Sequence, residues 1–185
     1  MQLRLISPSW PPMPFKSPSD AAGKARSTVE GVHDDVEQLF GRLEFSMMDF
    51  TLDPRLEADT FQVTDLTLCR VLLMNDSRYP WLILVPRQHD LREFHDLAGE
   101  NRLRLMSEIT LTTEMLERSH RPDKLNVGAL GNIVNQLHIH VLGRFDGDPA
   151  WPGPVWGVGK PVAYDEKQAD TLVRELRAQL GRASS

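Results

Sequence analysis

Hydrophobic and polar residues alternate most regularly in the run Asn135–Arg144. Successive side chains of a β-strand point to opposite faces, so every second residue of this run shares a face. The apolar set, which is predicted to enter a core, consists of Leu137, Ile139 and Val141. Gln136, His138 and His140 then lie together on the other face. Histidine acts as a nucleophile, proton carrier or metal ligand near neutral pH, so this polar face predicts a functional site.

The spacing of hydrophobic and polar residues along the rest of the chain predicts strands before and after one long helix. Strands are expected at Phe61–Thr64, Leu68–Met74, Trp81–Val85, Lys124–Leu130 and Leu137–Arg144. The segment Asn101–His120 lacks Gly and Pro, so it is predicted to be a helix that packs on the sheet. Its apolar face is expected to comprise Leu103, Met106, Ile109, Thr113 and Leu116.

A loop and a second helix are predicted after the last strand. The loop is Pro149–Pro161, which is rich in Pro, Gly and Trp, and the helix is Asp165–Leu180. The inward positions of this helix are expected to be Ala169, Leu172, Val173, Leu176 and Leu180. Strands grouped before and after a helix, without regular strand–helix alternation, indicate the α+β class.

The beginning of the chain differs from the rest in composition. Residues 1–25 combine several prolines with Ser and Lys, which predicts a disordered leader, and apolar residues within Ser27–Phe45 recur at helical spacing. We therefore expect an N-terminal extension, disordered or partly helical, at 1–46 and one domain at 47–185. Met47 and Met48 are the first residues of that domain and directly precede Asp49–Leu56, where globular-looking sequence begins. A translation start at one of them is a hypothesis that mass spectrometry of the native protein tests.

Composition and charge narrow the function classes. Of the 185 residues, 41% are hydrophobic and 25% are charged, which is typical of one soluble domain. The net charge of −5 argues against a dedicated nucleic-acid binder. Prolines interrupt the N-terminal apolar residues, so we expect no membrane segment. Cys69, the single cysteine, is predicted to be a buried thiol and favours a reducing, cytoplasmic compartment.

The polar residues around His138 suit attack on a phosphate. An attacking imidazole needs a hydrogen bond at its other ring nitrogen and donors around the phosphoryl oxygens. A backbone carbonyl next to His138 can meet the first need. The donors are predicted to come from His140, Gln136, Asn126 and the amides around Gly131 and Asn132. This pattern by itself does not exclude metal binding by the two histidines.

The run Gln136–Leu142 closely resembles the histidine triad signature, in which three histidines alternate with hydrophobic residues and two more hydrophobic residues follow. Upstream, Leu82–Arg87 resembles the strand ending in Val-Pro or Ile-Pro of that superfamily. Glu93–Leu97 is similar to the next segment in its dinucleoside polyphosphate hydrolase branch. Asn126 lies where the family has a nucleotide-contacting asparagine, and Asn75 falls near a position that often lines the site. The likeness covers about residues 48–150.

This resemblance implies an antiparallel sheet with a long helix and a C-terminal helix, and a homodimer. It implies a nucleotide hydrolase or transferase that needs no cofactor and acts on dinucleoside polyphosphates or related nucleotides. His138 corresponds to the middle histidine, which forms a nucleotidyl intermediate, and His140 to the third. Gln136 stands where the family has its first histidine. A carboxamide cannot deliver a proton at neutral pH, so leaving groups that need little protonation should be preferred.

Two other functions are compatible with these residues. One is a nucleotide-binding regulatory protein with little turnover, which the glutamine allows. The other is a metal-dependent enzyme, although a His-x-His site normally needs another His or carboxylate, and the nearest are Asp146 and Asp148. Both aspartates and Arg144 are otherwise expected at the solvated surface. The loop residues Trp151 and Trp156 are expected to anchor their loop rather than cover a base.

Overall fold

The computed structural model describes residues 50–183. The helices are α1 (Pro54–Asp59), α2 (Gly99–His120) and α3 (Glu166–Ala183), and a short 3-10 turn spans Phe94–Asp96. The strands are β1 (Thr60–Asp65), β2 (Cys69–Met74), β3 (Trp81–Pro86), β4 (Lys124–Gly128) and β5 (Ile139–Arg144). The predicted leader and the predicted helix within Ser27–Phe45 lie outside the described residues.

The five strands form one antiparallel sheet in the order β1-β2-β3-β5-β4. Strands β1 to β3 form a meander, and β5 inserts between β3 and β4. The register pairs His140 with Ile83 on one side and with Gly128 on the other. The α+β class is therefore confirmed, and the histidine strand lies in the interior of the sheet.

Each face of the sheet has its own hydrophobic cluster. Helices α2 and α3 cover one face, where Leu137, Ile139 and Val141 are buried as the alternation predicts. The apolar residues that pack on the opposite face include Leu56, Leu72, Tyr79, Trp81, Ile83, Leu142 and Val155. Burying each large aliphatic side chain contributes about 1.5–3 kcal/mol, so the two clusters hold β5 rigidly between them.

The buried face of α2 agrees only in part with the predicted one, in that Ile109 and Leu116 are buried as expected. Leu103 and Met106 are 74% and 60% exposed. The buried residues of this helix are Leu105, Glu108, Ile109, Thr112, Met115 and Leu116. Two of them, Glu108 and Thr112, are polar. The Glu108 carboxylate accepts the main-chain N–H groups of Leu68 and Cys69, at 2.7 and 2.8 Å. A hydrophobicity pattern assigns polar residues to the solvent. The predicted apolar face of α2 is therefore rotated away from the face that is buried in the structure.

The other predictions for helix and thiol burial are confirmed. In α3, Ala169, Leu176 and Leu180 are buried, and the remaining two predicted positions are partly buried against the core. The Cys69 thiol is fully buried, and burial raises its pKa far above the ordinary value. No helix in the described part of the chain has the length and apolar character needed to cross a bilayer.

Candidate active site

His138 and His140 lie on one face of the sheet, next to each other. Their ring centroids are 4.9 Å apart, and the rings meet edge to face at 77°. His138 directly precedes β5, and both side chains are largely buried, at 7% and 8% exposure. The alternation that sends the apolar neighbours into the core therefore places both imidazoles at one site.

The His138 ring is oriented by its own strand. Its Nδ1 lies 2.7 Å from the main-chain oxygen of Gln136. A carbonyl oxygen can only accept, so Nδ1 carries the ring proton of the neutral imidazole. The lone pair then resides on Nε2, and that nitrogen is free to act as a nucleophile.

His140 has a different partner on the neighbouring strand. The indole Nε1 of Trp81 donates to Nδ1 of His140 at 3.0 Å, and both side chains are buried. Burial, with a smaller contribution from His138, lowers the pKa of His140 to about 3. His140 is therefore uncharged at neutral pH.

Trp156 packs against the same histidine from the 149–161 loop. Its ring centroid is 5.5 Å from that of His140 and 6.3 Å from that of Trp81. It also lies over Gly128, where an added Cβ would come within 3.0 Å of the indole ring. A larger residue at this register position would push the indole ring away by a few tenths of an ångström. Trp156 thus anchors its loop to the body, and in doing so it covers one side of the site.

Gln136 lies at the entrance to the histidine strand and is bonded to the segment before α1. Its Oε1 accepts the main-chain N–H of Asp53 at 2.9 Å, and its Nε2 donates to the main-chain oxygen of Thr51 at 2.9 Å. The sequence predicted a carboxamide directed at a phosphoryl oxygen. In the structure, both ends of that carboxamide hold residues 51–53, and one N–H remains for a ligand.

Asn126 belongs to a buried polar network that sequence reasoning missed. Arg144 donates from its guanidinium to the Asn126 side-chain oxygen at 2.9 Å, and it makes two bonds to Asp148, at 2.7 and 2.9 Å. The hydrogen bond from Arg144 is the main cause that lowers the pKa of Asp148 to about 2. Asn126 is thereby turned so that its oxygen faces Arg144, and its NH₂ group donates one N–H to the main-chain oxygen of Leu125 at 3.1 Å, which leaves one N–H for a ligand.

The expectation that Arg144 and Asp148 lie at the solvated surface is therefore wrong. Their side chains are 2% and 4% exposed. Each charge is tolerated inside because a bidentate arginine–carboxylate pair satisfies both groups. Trp151, by contrast, is 38% exposed, with the Arg144 guanidinium 5.8 Å from its ring centroid.

Of the other predicted binding residues, Gly131 and Asn132 lie near the histidines in sequence, whereas Asn75 makes a structural contact elsewhere. Gly131, with φ of 70°, and the exposed Asn132 lie in the loop that joins β4 to His138. Asn75 lies beyond the end of β2, and its side-chain oxygen accepts the main-chain N–H of Tyr164 at 3.0 Å. Asn75 therefore holds the segment before α3, while the loop with Gly131 leads directly to His138.

Trp81 is the neighbour of the histidines that the sequence did not reveal. It lies 59 positions before His140, and only the β3–β5 register brings the two together. Within residues 50–183 no three His, Cys, Asp or Glu side chains form a group that could hold a metal ion.

An antiparallel sheet of this order, with two alternating histidines on the face opposite helices α2 and α3, defines a class of protein, and sequence comparison agrees. The profile of the HIT domain matches residues 55–147. The chain belongs to the histidine triad (HIT) family.

Solved HIT proteins resemble this chain in sequence and structure. A histidine triad protein from Marinobacter aquaeolei is 46% identical, with 72% of this chain and 98% of that chain covered and a TM-score of 0.70. One from Sinorhizobium meliloti is 44% identical, with 74% and 98% covered and a TM-score of 0.69. One from Bradyrhizobium japonicum is also 44% identical, with 71% and 98% covered and a TM-score of 0.68. No curated protein sequence matches significantly.

Proposed function

We propose that the protein is a nucleotide hydrolase or transferase that acts at a phosphate through a nucleotidyl-histidine intermediate on His138. The observation that carries this proposal is the 2.7 Å bond between His138 Nδ1 and the Gln136 carbonyl. It leaves a lone pair on Nε2 in a largely buried ring that packs against His140. That is the arrangement an imidazole nucleophile requires.

The proposed reaction has two displacement steps. Nε2 of His138 attacks phosphorus, the P–N bond forms, and the bond to the leaving oxygen breaks with its electron pair on that oxygen. The ring becomes positively charged, and the Gln136 carbonyl stabilises the proton on Nδ1. Water then attacks phosphorus, the P–N bond breaks with its electron pair returning to Nε2, and the proton of the water passes to solvent. Another acceptor in place of water gives transfer instead of hydrolysis.

The polar side chains assigned to the site offer hydrogen bonds but no mobile proton. Asn126, oriented by Arg144, presents an amide, and Gln136 has one N–H left after holding residues 51–53. His140 is neutral, because its pKa is about 3. None of these groups can protonate a basic leaving group at neutral pH.

We therefore propose substrates whose leaving group is itself a phosphate, with dinucleoside polyphosphates as the first class to test. A substrate panel should include dinucleoside polyphosphates, nucleoside phosphoramidates and nucleotide sugars. We expect the highest kcat/KM with phosphate leaving groups and the lowest with amine leaving groups. Faster cleavage of the phosphoramidates would contradict this substrate assignment.

A second candidate function is nucleotide binding with little turnover, as in a regulatory protein. The observation that favours it is the same shortage of acidic protons beside His138. Formation of the covalent intermediate separates the two functions, because a pure binding protein forms none.

A metal-dependent reaction that uses His138 and His140 is the remaining alternative. Turnover before and after treatment with a chelator tests it, and we expect unchanged activity. Complete loss of activity that one divalent metal ion restores would show that the reaction depends on a metal.

We also infer a homodimer and a cytoplasmic location. Strand β4 lies at one edge of the sheet, and apolar side chains are exposed on it and on the loop after it: Val127 at 48%, Leu130 at 41% and Ile133 at 76%. An exposed strand edge of this kind is a template for pairing with another chain. Light scattering should give twice the chain mass of 21.0 kDa, and Val127→Lys should lower it toward one chain. The buried free thiol of Cys69 is consistent with a reducing compartment.

A further inference from the structure

Trp81 and His140 face each other across the β3–β5 pair. His140 is the register partner of Ile83, and Trp81 lies two residues before Ile83 on the same face. The distance from Trp81 Nε1 to His140 Nδ1 is 3.0 Å. Tyr79 and Trp156 both meet the Trp81 ring edge to face, with centroids 6.2 and 6.3 Å away, so its orientation is fixed by packing.

The chemistry of this hydrogen bond determines where the His140 proton lies. An indole N–H donates and cannot accept. Nδ1 of His140 must therefore present a lone pair, and the proton of the neutral ring must be on Nε2. Protonation of His140 would place a hydrogen on Nδ1, opposite the indole N–H, and the bond would be lost.

We propose that Trp81 is a positioning residue that fixes His140 as a neutral imidazole with its proton on Nε2. His138 has the reverse arrangement, because its Nδ1 faces a carbonyl oxygen. At the same ring position, Nε2, His138 therefore presents a lone pair and His140 presents an N–H donor. The catalytic consequence, a constant donor beside the nucleophile, depends on the proposed function, whereas the tautomer itself does not.

The surroundings of His140 favour this state over a broad pH range. The titratable group that faces it is His138 on its own strand, 4.9 Å away between centroids. Trp81 from β3 and Trp156 from the 149–161 loop contact it without a charge. Burial and a neighbouring imidazole both oppose a positive charge on His140, which agrees with its lowered pKa.

Nitrogen NMR of the full-length protein, without nucleotide, tests the proposal directly. Histidine and tryptophan are labelled with ¹⁵N, and long-range ¹H–¹⁵N correlations identify which ring nitrogen of His140 is protonated. We expect one tautomer, with the proton on Nε2, from pH 5 to 9. We also expect a nitrogen–nitrogen scalar coupling across the bond from Trp81 Nε1 to His140 Nδ1. A proton on Nδ1, or rapid averaging of both tautomers, would overturn the proposal.

Two matched variants assign the effect to Trp81. Trp81→Phe removes the donor and keeps an aromatic ring, so we expect the single His140 tautomer to become an averaged mixture. Trp156→Phe alters the other indole that contacts His140 but leaves the hydrogen bond, so the tautomer should persist. An unchanged tautomer in Trp81→Phe would refute the positioning role. If that variant does not fold, the coupling in the wild-type protein decides the question.

Failure of this proposal is distinguishable from failure of the proposed function. A protein without nucleotide turnover whose His140 carries its proton on Nε2 would contradict only the function. Turnover with an averaged His140 would contradict only the role of Trp81.

Discussion

His138 and His140 are identical side chains two residues apart, and their different partners give them different chemistry. A main-chain oxygen faces Nδ1 of the first ring and an indole N–H faces Nδ1 of the second. In the proposed reaction, the first imidazole attacks through the lone pair on Nε2 and the second donates from its Nε2 proton. The sequence shows the two histidines but neither partner atom, because a carbonyl direction and a cross-strand contact both depend on the folded backbone.

At the same scale, Asn126 and Arg144 should act as one unit. Under the proposed function, Asn126→Ala removes a hydrogen-bond donor to the substrate, so kcat/KM should fall by an amount equivalent to about 0.5–3 kcal/mol. Arg144→Met should cause a similar loss, because the carboxamide is no longer oriented by the guanidinium. Steady-state kinetics of the two single variants and the double variant test this, since coupled residues are not additive. Fully additive losses would contradict the coupling.

Gln136 should contribute chiefly through the segment that it holds. Gln136→Ala removes both bonds to Thr51 and Asp53, so the Asp53 amide should exchange its hydrogen faster than in the wild type. Gln136→Glu is the comparison variant: it keeps an oxygen that accepts the Asp53 N–H, but it places a second acceptor against the Thr51 main-chain oxygen and so breaks that bond. Equal protection of the Asp53 amide in the wild type and in Gln136→Ala would show that the carboxamide does not hold this segment.

At the scale of elements, Glu108 joins helix α2 to the turn between β1 and β2. Glu108→Ala leaves two buried main-chain N–H groups without an acceptor, so the free energy of unfolding should fall by about 2–4 kcal/mol. Glu117→Ala on the exposed side of the same helix should change it by less than about 0.5 kcal/mol. Denaturant unfolding of both variants measures the difference. A loss below about 1 kcal/mol for Glu108→Ala would contradict the anchoring role.

The sequence predicts the positions of the helices and strands better than it predicts the side-chain contacts between them. Alternation located β5 within two residues, and the apolar spacing of α3 identified its buried side. The buried side of α2 was predicted only in part: Ile109 and Leu116 are buried as expected, but Glu108 and Thr112 were missed because they are polar residues with internal partners. Arg144 and Asp148 were assigned to the surface for the same reason. A charge that is buried with its partner has the same sequence pattern as a solvated one.

At the scale of the whole molecule, burying His140 as a neutral ring couples stability to pH. Its folded pKa is about 3, below the ordinary value of 6.5, so between these values the unfolded chain binds more protons than the folded protein. Stability is therefore full above pH 6.5 and falls as the pH decreases, by up to about 1.4 kcal/mol per pH unit from this group. His140→Gln should show a shallower loss between pH 6.5 and 4.5 in denaturant unfolding. Parallel curves for the two proteins would contradict the assignment.

The central claim is that His138 carries the nucleotidyl group during turnover. The most direct measurement is rapid quenching of the protein with a dinucleoside polyphosphate, followed by mass spectrometry at alkaline pH, which preserves a P–N bond. We expect one nucleoside monophosphoryl group per chain, attached to His138, and no adduct and no turnover in His138→Ala. That variant should still fold, because the apolar face of its strand is unchanged, and it should still bind nucleotide. Turnover of His138→Ala within tenfold of wild type, or an adduct on another residue, would contradict the account.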